Sequence, residues 1–535
     1  MRTGGSDRAG GPAGGPQDGR RGWAAWRSLT VPLVLLLVLR LPTLFEPHWY
    51  TDEAGYATTA WLMAHGKVLY LTTWNNKPPL LFWLYQLVLG IFGPRELGLH
   101  LLSTLTEVAA LVGTWRLAAR CLSPRRVWIA TLVTAFLISA PLLGGDLALP
   151  ENLLIAFTVW GMVAMTAALR TERRRTALML AAASGLLFGC GCLIQQTVVA
   201  DLGVAVLLLV LAGRRGWGLG LVTAATAAVV VAGVMAPFIA AAGLHNVLSF
   251  LVTGYSTYTG YAFHPSFWSV SIRLLAGILL LVGVLLAWRW PTERLLPWLW
   301  LATLLLGYVI PNRAYAHFLL PAVPAGAILM ARMGKPDWRN WLGRARLAGA
   351  ALLGSVLVAS CLWVSLFASG VSGGSLFTGK LTLQYYPAFV GRLTGQVSET
   401  SYVQVYDDRP LEEHDAVAWL GQNRLTGATA VVWSPDAWAY LLGKLQPVLP
   451  EPTIYMNWIL LGPKTLLQRV SSARPVVVLV TSDSYTQYGP ILALLRRGYT
   501  EVQASANGEL WVRSDVAAKV LTAAQDHTDL RRSGG

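Results

Sequence analysis

Residues 28–53 read SLTVPLVLLLVLRLPTLFEPHWYTDE, an apolar stretch followed directly by a polar segment with two adjacent carboxylates. A helix that crosses a bilayer needs about 20 largely apolar residues, and this stretch has that character. Arg40 lies near the end of the stretch, and Asp52 and Glu53 follow it. Charged groups held at a membrane face usually have a function. The stretch therefore predicts a membrane protein with chemistry at one face of the bilayer.

The composition of the whole chain supports a protein that lies in lipid. Of its 535 residues, 54% are hydrophobic and 13% are charged, whereas an ordinary soluble domain has about 25% charged residues. The net charge is +15, but the arginines form short clusters between apolar runs, as at 173–175 and 214–215. Such clusters are typical of cytoplasmic loops. The predicted partner is therefore the lipid bilayer and no nucleic acid.

Eleven apolar segments have the length and character of membrane-spanning helices, which run about 17 to 25 residues. They are 28–45, 97–119, 125–144, 152–170, 176–193, 196–212, 218–241, 268–288, 295–311, 315–333 and 346–369. Residues 80–92 are apolar but short, and they lie between two prolines and the Gly93-Pro94 turn. This segment is interpreted as an interfacial or re-entrant helix.

Charge then fixes the predicted orientation. With the N-terminus in the cytoplasm and residues 80–92 not counted as a span, the Arg-rich loops all fall on the cytoplasmic side. The opposite loops at 145–151, 194–195 and 242–267 contain no Lys or Arg. Counting 80–92 as a span would invert every later loop. The prediction is a multi-pass protein of the plasma (inner) membrane, with its C-terminal domain on the extracytoplasmic side.

Changes in composition and in the pattern of apolar runs divide the chain into four predicted parts. Residues 1–27 are rich in Gly and Pro and are predicted to form a disordered cytoplasmic tail. An uncleaved first span is favoured over a signal peptide because no small-residue cleavage site follows it. Residues 28–370 form the membrane domain, with 46–96 as its first outside loop. Residues 371–515 form an α/β domain, and 516–535 a flexible tail.

Short alternating elements indicate the α/β domain. Its predicted strands and helices are bounded by turn residues. The strands are 428–433, 475–481, 499–504 and 509–513, and the helices are 411–423 and 491–497. No Gly-rich nucleotide-binding loop follows any of these strands.

Two acidic sites occupy the first two outside loops. Asp52 and Glu53 precede an amphipathic stretch, whereas Asp146 and Glu151 lie in the next outside loop. The two loops can converge when the first four helices bundle. The alternative is structural, because carboxylates at helix starts are stabilised by the helix dipole and often serve as caps. Asp146 could equally be a solvated loop residue.

Several motifs together resemble one known family. The motifs are Asp52-Glu53, Tyr56, Gly66, Tyr70, Lys77-Pro78-Pro79, Phe92-Gly93 and Glu151. Their order and spacing are similar to those of bacterial GT-C glycosyltransferases of the protein mannosyltransferase and aminoarabinose-transferase type. The resemblance covers residues 30–335 and continues loosely into the C-terminal domain. It implies a polytopic helical GT-C fold with about 11 transmembrane helices and a C-terminal extracytoplasmic α/β domain.

The resemblance also implies an activity. Such an enzyme moves a hexose or pentose from a polyprenyl-phosphate sugar donor to an extracytoplasmic glycan, lipid or protein acceptor, with inversion at the anomeric carbon. Catalytic roles are implied for Asp52, Glu53 and Glu151, with Asp52 as the base that deprotonates the acceptor hydroxyl. A positioned base contributes on the order of 10² to 10⁴ in rate. Lys77 matches the cation at the departing phosphate, although snorkelling at the interface is an ordinary alternative for a lysine.

Three further basic residues are predicted to bind the donor phosphate. Arg40 needs a partner, because an unpaired charge within a span costs about 2.5–3.5 kcal/mol on insertion scales. Asp52, Glu53 or the donor phosphate could satisfy it. Arg313 and His317 lie in a segment that resembles the family's phosphate-facing motif, with an interfacial aromatic anchor as the alternative.

Other polar and aromatic residues of the outside loops are predicted to line the substrate cleft. They are Tyr56, Tyr70, Asp146, Tyr255, Tyr258 and His264. Some GT-C enzymes use a divalent cation and others do not. The acidic residues together with His48 and His264 leave both possibilities open, so no metal ligand and no cofactor is assigned.

Two other classes of protein compete with the enzyme. A lipid-linked-sugar flippase or another transporter would also need charge and many spans, but transporters often show two related halves. No such halves are visible, and the polar residues concentrate at one face. A non-catalytic envelope scaffold would leave five charged residues as unrelated caps and anchors: Arg40, Asp52, Glu53, Lys77 and Glu151. The sequence leaves the sugar and the acceptor open.

Overall fold

The computed structural model describes residues 17–254, 277–278, 292–309, 315–333, 379–481, 489–505 and 508–522. Helices dominate the first two thirds of this part. They are α1 Gln17–Arg40, α2 Thr51–Ala64, α3 Pro79–Phe92, α4 Glu96–Cys121, α5 Pro124–Ile138, α6 Pro150–Arg170, α7 Arg174–Ile194, α8 Val199–Leu211, α9 Arg214–Ala242, α10 Leu244–Leu248, α11 Thr292–Val309 and α12 Val323–Met333. Short 3-10 turns precede several of them, including Leu41–Phe45 and Ala316–Ala322.

Proline and glycine set several helix boundaries. Pro79, Pro124 and Pro150 each occupy the first turn of a helix, where the missing N–H is not needed and the fixed φ favours the helix. Helix α3 ends at Gly93, whose φ is +72°. A left-handed conformation costs glycine little because it lacks a Cβ. The short helix predicted at 80–92 is therefore present and sharply bounded.

Among the described residues, four helices are long and apolar enough to cross a membrane: α4, α6, α7 and α9. The predicted spans 28–45, 196–212, 295–311 and 315–333 correspond to shorter apolar helices. The span predicted at 125–144 corresponds to the shorter helix α5. The spans at 268–288 and 346–369 lie outside the described residues, apart from 277–278. The apolar helices support a location in the membrane, whereas the count of eleven spans and the orientation stay predictions.

The first helix begins earlier than the sequence indicates. Helix α1 starts at Gln17, within the segment 1–27 that is predicted to be a disordered tail. Residues 1–16 lie outside the described part of the chain. The membrane helices then pack in a bundle in which α7 contacts α6 and α9. A Cβ at Gly185 in α7 would lie 2.3 Å from the carbonyl oxygen of Thr223 in α9, so only glycine permits this close approach.

The C-terminal part contains a five-stranded mixed sheet. Its strands are β1 Thr429–Trp433, β2 Gln446–Pro447, β3 Val477–Thr481, β4 Tyr499–Ala504 and β5 Gly508–Arg513, in the order β2-β1-β3-β5-β4. Strand β3 is central and wholly buried, parallel to β1 and antiparallel to β5. Buried central strands read as continuous apolar runs, which explains why 475–481 is recognisable in the sequence.

Eight helical stretches accompany the sheet in the described residues, and the last, at 514–522, runs into the segment 516–535 that is predicted to be a flexible tail. The other seven have the bounds that follow. They are α13 Gly379–Leu393, α14 Glu399–Tyr406, α15 Arg409–Gln422, α16 Trp438–Leu442, α17 Ile454–Leu461, α18 Pro463–Ala473 and α19 Ile491–Gly498. The predicted helices at 411–423 and 491–497 correspond to α15 and α19. The domain boundaries themselves stay a prediction.

The sheet-bearing part packs directly on the first loop of the membrane part. The Thr58 hydroxyl in α2 donates to the Ala437 carbonyl at 2.9 Å. The backbone N–H of Trp74 donates to the Pro450 carbonyl at 2.8 Å. The Tyr385 hydroxyl donates to Glu46 at 2.5 Å. These bonds bring the segment that begins at Pro450 against the loop that carries the predicted site.

Candidate active site

A cleft of about 700 Å³, including its open mouth, lies between the first loop, the starts of α6 and of the 316–322 turn, and the segment 451–456. Five of the predicted site residues line this cleft: Asp52, Tyr56, Lys77, Glu151 and His317. The remaining lining residues are Gly55, Asn75, Asn76, Tyr315, Phe318, Glu451, Thr453, Tyr455 and Met456. The cleft is thus built from parts of the chain about 400 residues apart in the sequence.

Asp52 lies in the first turn of α2 and is partly buried. Its Oδ1 accepts a hydrogen bond from the Tyr455 hydroxyl at 3.3 Å. Burial raises the pKa of Asp52 above its usual range, while His317, Lys77 and the Tyr455 hydrogen bond oppose the rise. A carboxylate with a raised pKa is a stronger base once ionised. The geometry therefore suits Asp52 to accept a proton.

Two hydrogen bonds to the backbone of Lys77 fix its position. Its carbonyl accepts a hydrogen bond from the Tyr70 hydroxyl at 2.8 Å, and its N–H donates to Asn75 Oδ1 at 3.2 Å. Tyr70 itself has a φ of +67°, an uncommon conformation that marks a constrained position. Tyr70 does not line the cleft. It lies behind Lys77 and fixes the loop that presents the ammonium group.

Glu151 and His317 complete the polar wall. Glu151 opens α6, and its Oε1 accepts a hydrogen bond from Gln195 Nε2 at 2.9 Å. His317 is buried, and its ring stacks on Tyr315 with a centroid distance of 5.4 Å. The wall so formed combines three kinds of group: carboxylates, the Lys77 ammonium and an imidazole. Such a mixture can bind an anion and move a proton in one place.

Glu53 occupies a different position from its neighbour. It is fully buried, accepts a hydrogen bond from the Ala148 N–H, and lies 3.5 Å from His100 Nε2. Its carboxyl thereby joins α2 to the loop before α6. Asp146 is also fully buried and does not line the cleft. These two predicted site residues are therefore buried and do not belong to the cleft lining.

Arg40 has its ion-pair partner in Glu107 rather than in Asp52 or Glu53. Arg40 Nε lies 3.4 Å from Glu107 Oε2, and both side chains are buried. Arg40 also donates to the Ser103 and Thr104 hydroxyls. Because α4 supplies these acceptors, the charge of Arg40 is satisfied inside the helix bundle. Arg40 does not line the cleft.

The buried Arg40–Glu107 pair leads to a stability prediction. Removing one partner leaves an unpaired buried charge, which costs about 3–5 kcal/mol. We expect Glu107→Leu to lower the thermal unfolding midpoint of the purified protein strongly. The double variant Arg40→Met/Glu107→Leu should recover most of the loss. Equal midpoints for the single and double variants would contradict this account.

Four predicted site residues lie outside the described residues: Arg313, Tyr255, Tyr258 and His264. Within the part of the chain that the structure describes, no group of three or more His, Cys, Asp or Glu side chains could hold a metal ion. The described cleft residues could hold an anion through Lys77 and His317. No metal ligand is assigned.

Sequence reasoning missed the contribution of the C-terminal part. Glu451, Thr453, Tyr455 and Met456 line the cleft, although they follow the membrane domain by many residues. Their local sequence, with Pro450 and Pro452 around Glu451, indicates only a turn. The hydrogen bond between Tyr455 and Asp52 is a tertiary contact that the local sequence does not predict.

The fold and the cleft together define a largely helical protein with apolar helices and a cleft lined by carboxylates, a lysine and a histidine. Comparison with known proteins agrees with this class. Residues 76–240 match the model of the family described as dolichyl-phosphate-mannose-protein mannosyltransferase. This stretch contains Lys77 and Glu151. A comparison with curated proteins found no match.

Solved structures give the fold. ArnT from Cupriavidus metallidurans bound to undecaprenyl phosphate has a TM-score of 0.57 and 18% identity, over 92% of this chain and 98% of that chain. The apo form of the same protein has a TM-score of 0.56 and 15% identity over the same shares. The predicted resemblance to GT-C glycosyltransferases is confirmed, and the chain has an ArnT-like fold.

Proposed function

We propose that the protein is an inverting GT-C glycosyltransferase that moves a sugar from a polyprenyl phosphate to an extracytoplasmic acceptor of the cell envelope. The observation that carries the proposal is the convergence of Asp52, Lys77, Glu151 and His317 on one cleft. A base and an anion-binding cation in one cleft are what this transfer needs. The family match and the ArnT-like fold support the same chemistry.

The transfer begins at the acceptor hydroxyl. Asp52 takes the hydroxyl proton as the oxygen attacks the anomeric carbon of the donor sugar. The bond between that carbon and the phosphate oxygen breaks, and the electron pair leaves with the polyprenyl phosphate. Attack and departure occur on opposite faces of the carbon, so its configuration inverts. The proton ends on Asp52 and passes to solvent after the product leaves.

The leaving phosphate gains negative charge as the bond breaks. Lys77 and His317 face Asp52 closely enough to act on its pKa, so they lie near the reacting atoms. A fixed cation stabilises the charge that develops in the transition state more than the charge of the ground state. Glu151 lies on the same wall and is held by Gln195. We assign Glu151 to hydroxyl groups of the donor sugar.

The hydrogen bond between Tyr455 and Asp52 leads to a pH prediction. The Tyr455 hydroxyl stabilises ionised Asp52 and thus opposes the rise of its pKa. In Tyr455→Phe the ionised form loses this bond, so the pKa of Asp52 rises and the base stays protonated to a higher pH. One hydrogen bond is worth about 0.5–1.5 kcal/mol, and 1.36 kcal/mol corresponds to about one pH unit.

We therefore expect the acid limb of the pH profile of kcat/KM to move upward by about 0.5 to 1 pH unit in Tyr455→Phe. Tyr499→Phe is the matched control, because its hydroxyl donates to Pro475 in the sheet-bearing part, and its profile should equal that of the wild type. An unmoved acid limb in Tyr455→Phe would show that this bond does not act on the base.

The experiment that tests the proposed function is transfer of radiolabelled sugar by purified protein. Undecaprenyl-phosphate sugars with mannose, glucose, galactose, arabinose and aminoarabinose serve as donors, and envelope glycans, lipids and peptides as acceptors. Transfer with inverted configuration supports the proposal. If no acceptor is glycosylated and labelled lipid instead crosses the bilayer of proteoliposomes, the protein is a transporter and the proposal is wrong.

A further inference from the structure

One wall of the cleft comes from the segment 450–456, which runs from the loop after β2 into the first turn of α17. The backbone bond from Trp74 to Pro450 fixes one end of the segment to the loop that carries Lys77. Farther along, a Cβ at Gly55 in α2 would lie only 3.2 Å from Thr453 Cγ2. The segment thus packs tightly on the same helix that presents Asp52. The segment therefore forms a fixed wall of the cleft.

Glu451 is the charged residue of this wall, and only 2% of it is exposed. Its Oε1 accepts a hydrogen bond from the Thr453 hydroxyl at 3.1 Å. Its Oε2 has no hydrogen-bond partner among the described residues. Buried polar atoms are nearly always paired, so an unpaired one at a cleft wall needs a specific explanation. A ligand hydroxyl would supply the missing partner.

The surroundings of Glu451 indicate which kind of ligand group its carboxyl could bind. Burial raises the pKa of Glu451 to about 8, and the Thr453 hydrogen bonds oppose the rise. The carboxyl is therefore largely protonated at neutral pH, where it can both donate and accept a hydrogen bond. The charge of Asp52 acts on Glu451, whereas Lys77 acts on Asp52. Glu451 is thus a neighbour of the base, separate from the cation that faces the phosphate.

We propose that Glu451 determines acceptor specificity by binding a hydroxyl group of a carbohydrate acceptor beside Asp52. The inference rests on the proposed function, and it narrows the acceptor from a glycan, lipid or protein to a carbohydrate. Glu451 recognises one acceptor hydroxyl while Asp52 deprotonates another. A protonated carboxyl can donate to one hydroxyl oxygen and accept from a hydroxyl group.

Binding of simple glycosides tests the inference without turnover. The probes are methyl glycosides of mannose, glucose, galactose and arabinose, added to the full chain with undecaprenyl phosphate present, and their Kd is measured by saturation-transfer NMR. We expect at least one glycoside to bind the wild type. Glu451→Leu should weaken its Kd about five- to tenfold, the value of one hydrogen bond. Glu451→Gln should bind nearly as well as the wild type, because an amide also donates and accepts.

Glu413→Leu is the matched control. Glu413 is a buried glutamate of the same C-terminal part but does not line the cleft, so its variant should bind glycosides as the wild type does. Equal Kd values for the wild type and Glu451→Leu, or no binding of any glycoside to the wild type, would overturn the inference. Equal losses in Glu451→Gln and Glu451→Leu would still support it, with an ionised carboxylate that accepts from the glycoside hydroxyl, because these neutral probes carry no amine. Sugar transfer is measured separately, so the proposed function and this inference fail by different results.

Discussion

Asp52→Asn should abolish most sugar transfer while donor binding persists. Asparagine keeps the shape of the side chain and can still accept the hydrogen bond from the Tyr455 hydroxyl, but it cannot accept the proton of the acceptor. A positioned general base contributes on the order of 10² to 10⁴ in rate, and kcat should fall by that factor. The measurement is single-turnover transfer of radiolabelled sugar, with donor affinity determined by titration of the same preparation.

Asp415→Asn provides the control for this variant. Asp415 is exposed on α15, so removing its charge should leave both kcat and donor affinity unchanged. Transfer by Asp52→Asn at the rate of the wild type would rule Asp52 out as the base. A fall in donor affinity that accounts for the whole loss would assign Asp52 to binding instead of proton transfer.

The contrast between Asp52 and Glu53 shows what the sequence can and cannot specify. Successive residues of a helix point about 100° apart, so adjacent carboxylates at a helix start face different directions. Asp52 lines the cleft, whereas Glu53 is fully buried and does not line it. The sequence places the pair at a helix start but does not show which way the helix is turned. That rotation is set by packing against the loop before α6 and against the C-terminal part.

Elements defined by long apolar runs could be predicted closely. The predicted span 97–119 corresponds to Glu96–Cys121, and 152–170 to Pro150–Arg170, because apolar length alone determines such helices. The short helices α16 and α17 were missed. They lie in a mixed stretch of Trp, Pro and polar residues without clear periodicity, so their formation depends on tertiary packing.

The site also contains residues that the sequence could predict and one that it could not. Asp52, Lys77 and Glu151 lie in predicted outside loops, and His317 lies at the start of the predicted span 315–333, so the predicted topology puts all four near one face. Glu451 belongs to a turn far along the chain, and nothing in its neighbourhood indicates which surface it covers. Its position depends on contacts such as the one between Thr453 and Gly55, which form only once the sheet-bearing part has folded onto α2.

Lys77→Ala should lower kcat about 10²- to 10³-fold, the usual cost of removing one group that stabilises developing charge. Donor KM should rise much less, because the interaction with the phosphate strengthens as the sugar departs. Lys67→Ala is the matched control, since Lys67 belongs to the same loop but is exposed. A large rise in KM with an unchanged kcat would assign Lys77 to anchoring the donor. Wild-type kinetics in Lys77→Ala would instead mean that this lysine only snorkels to the interface.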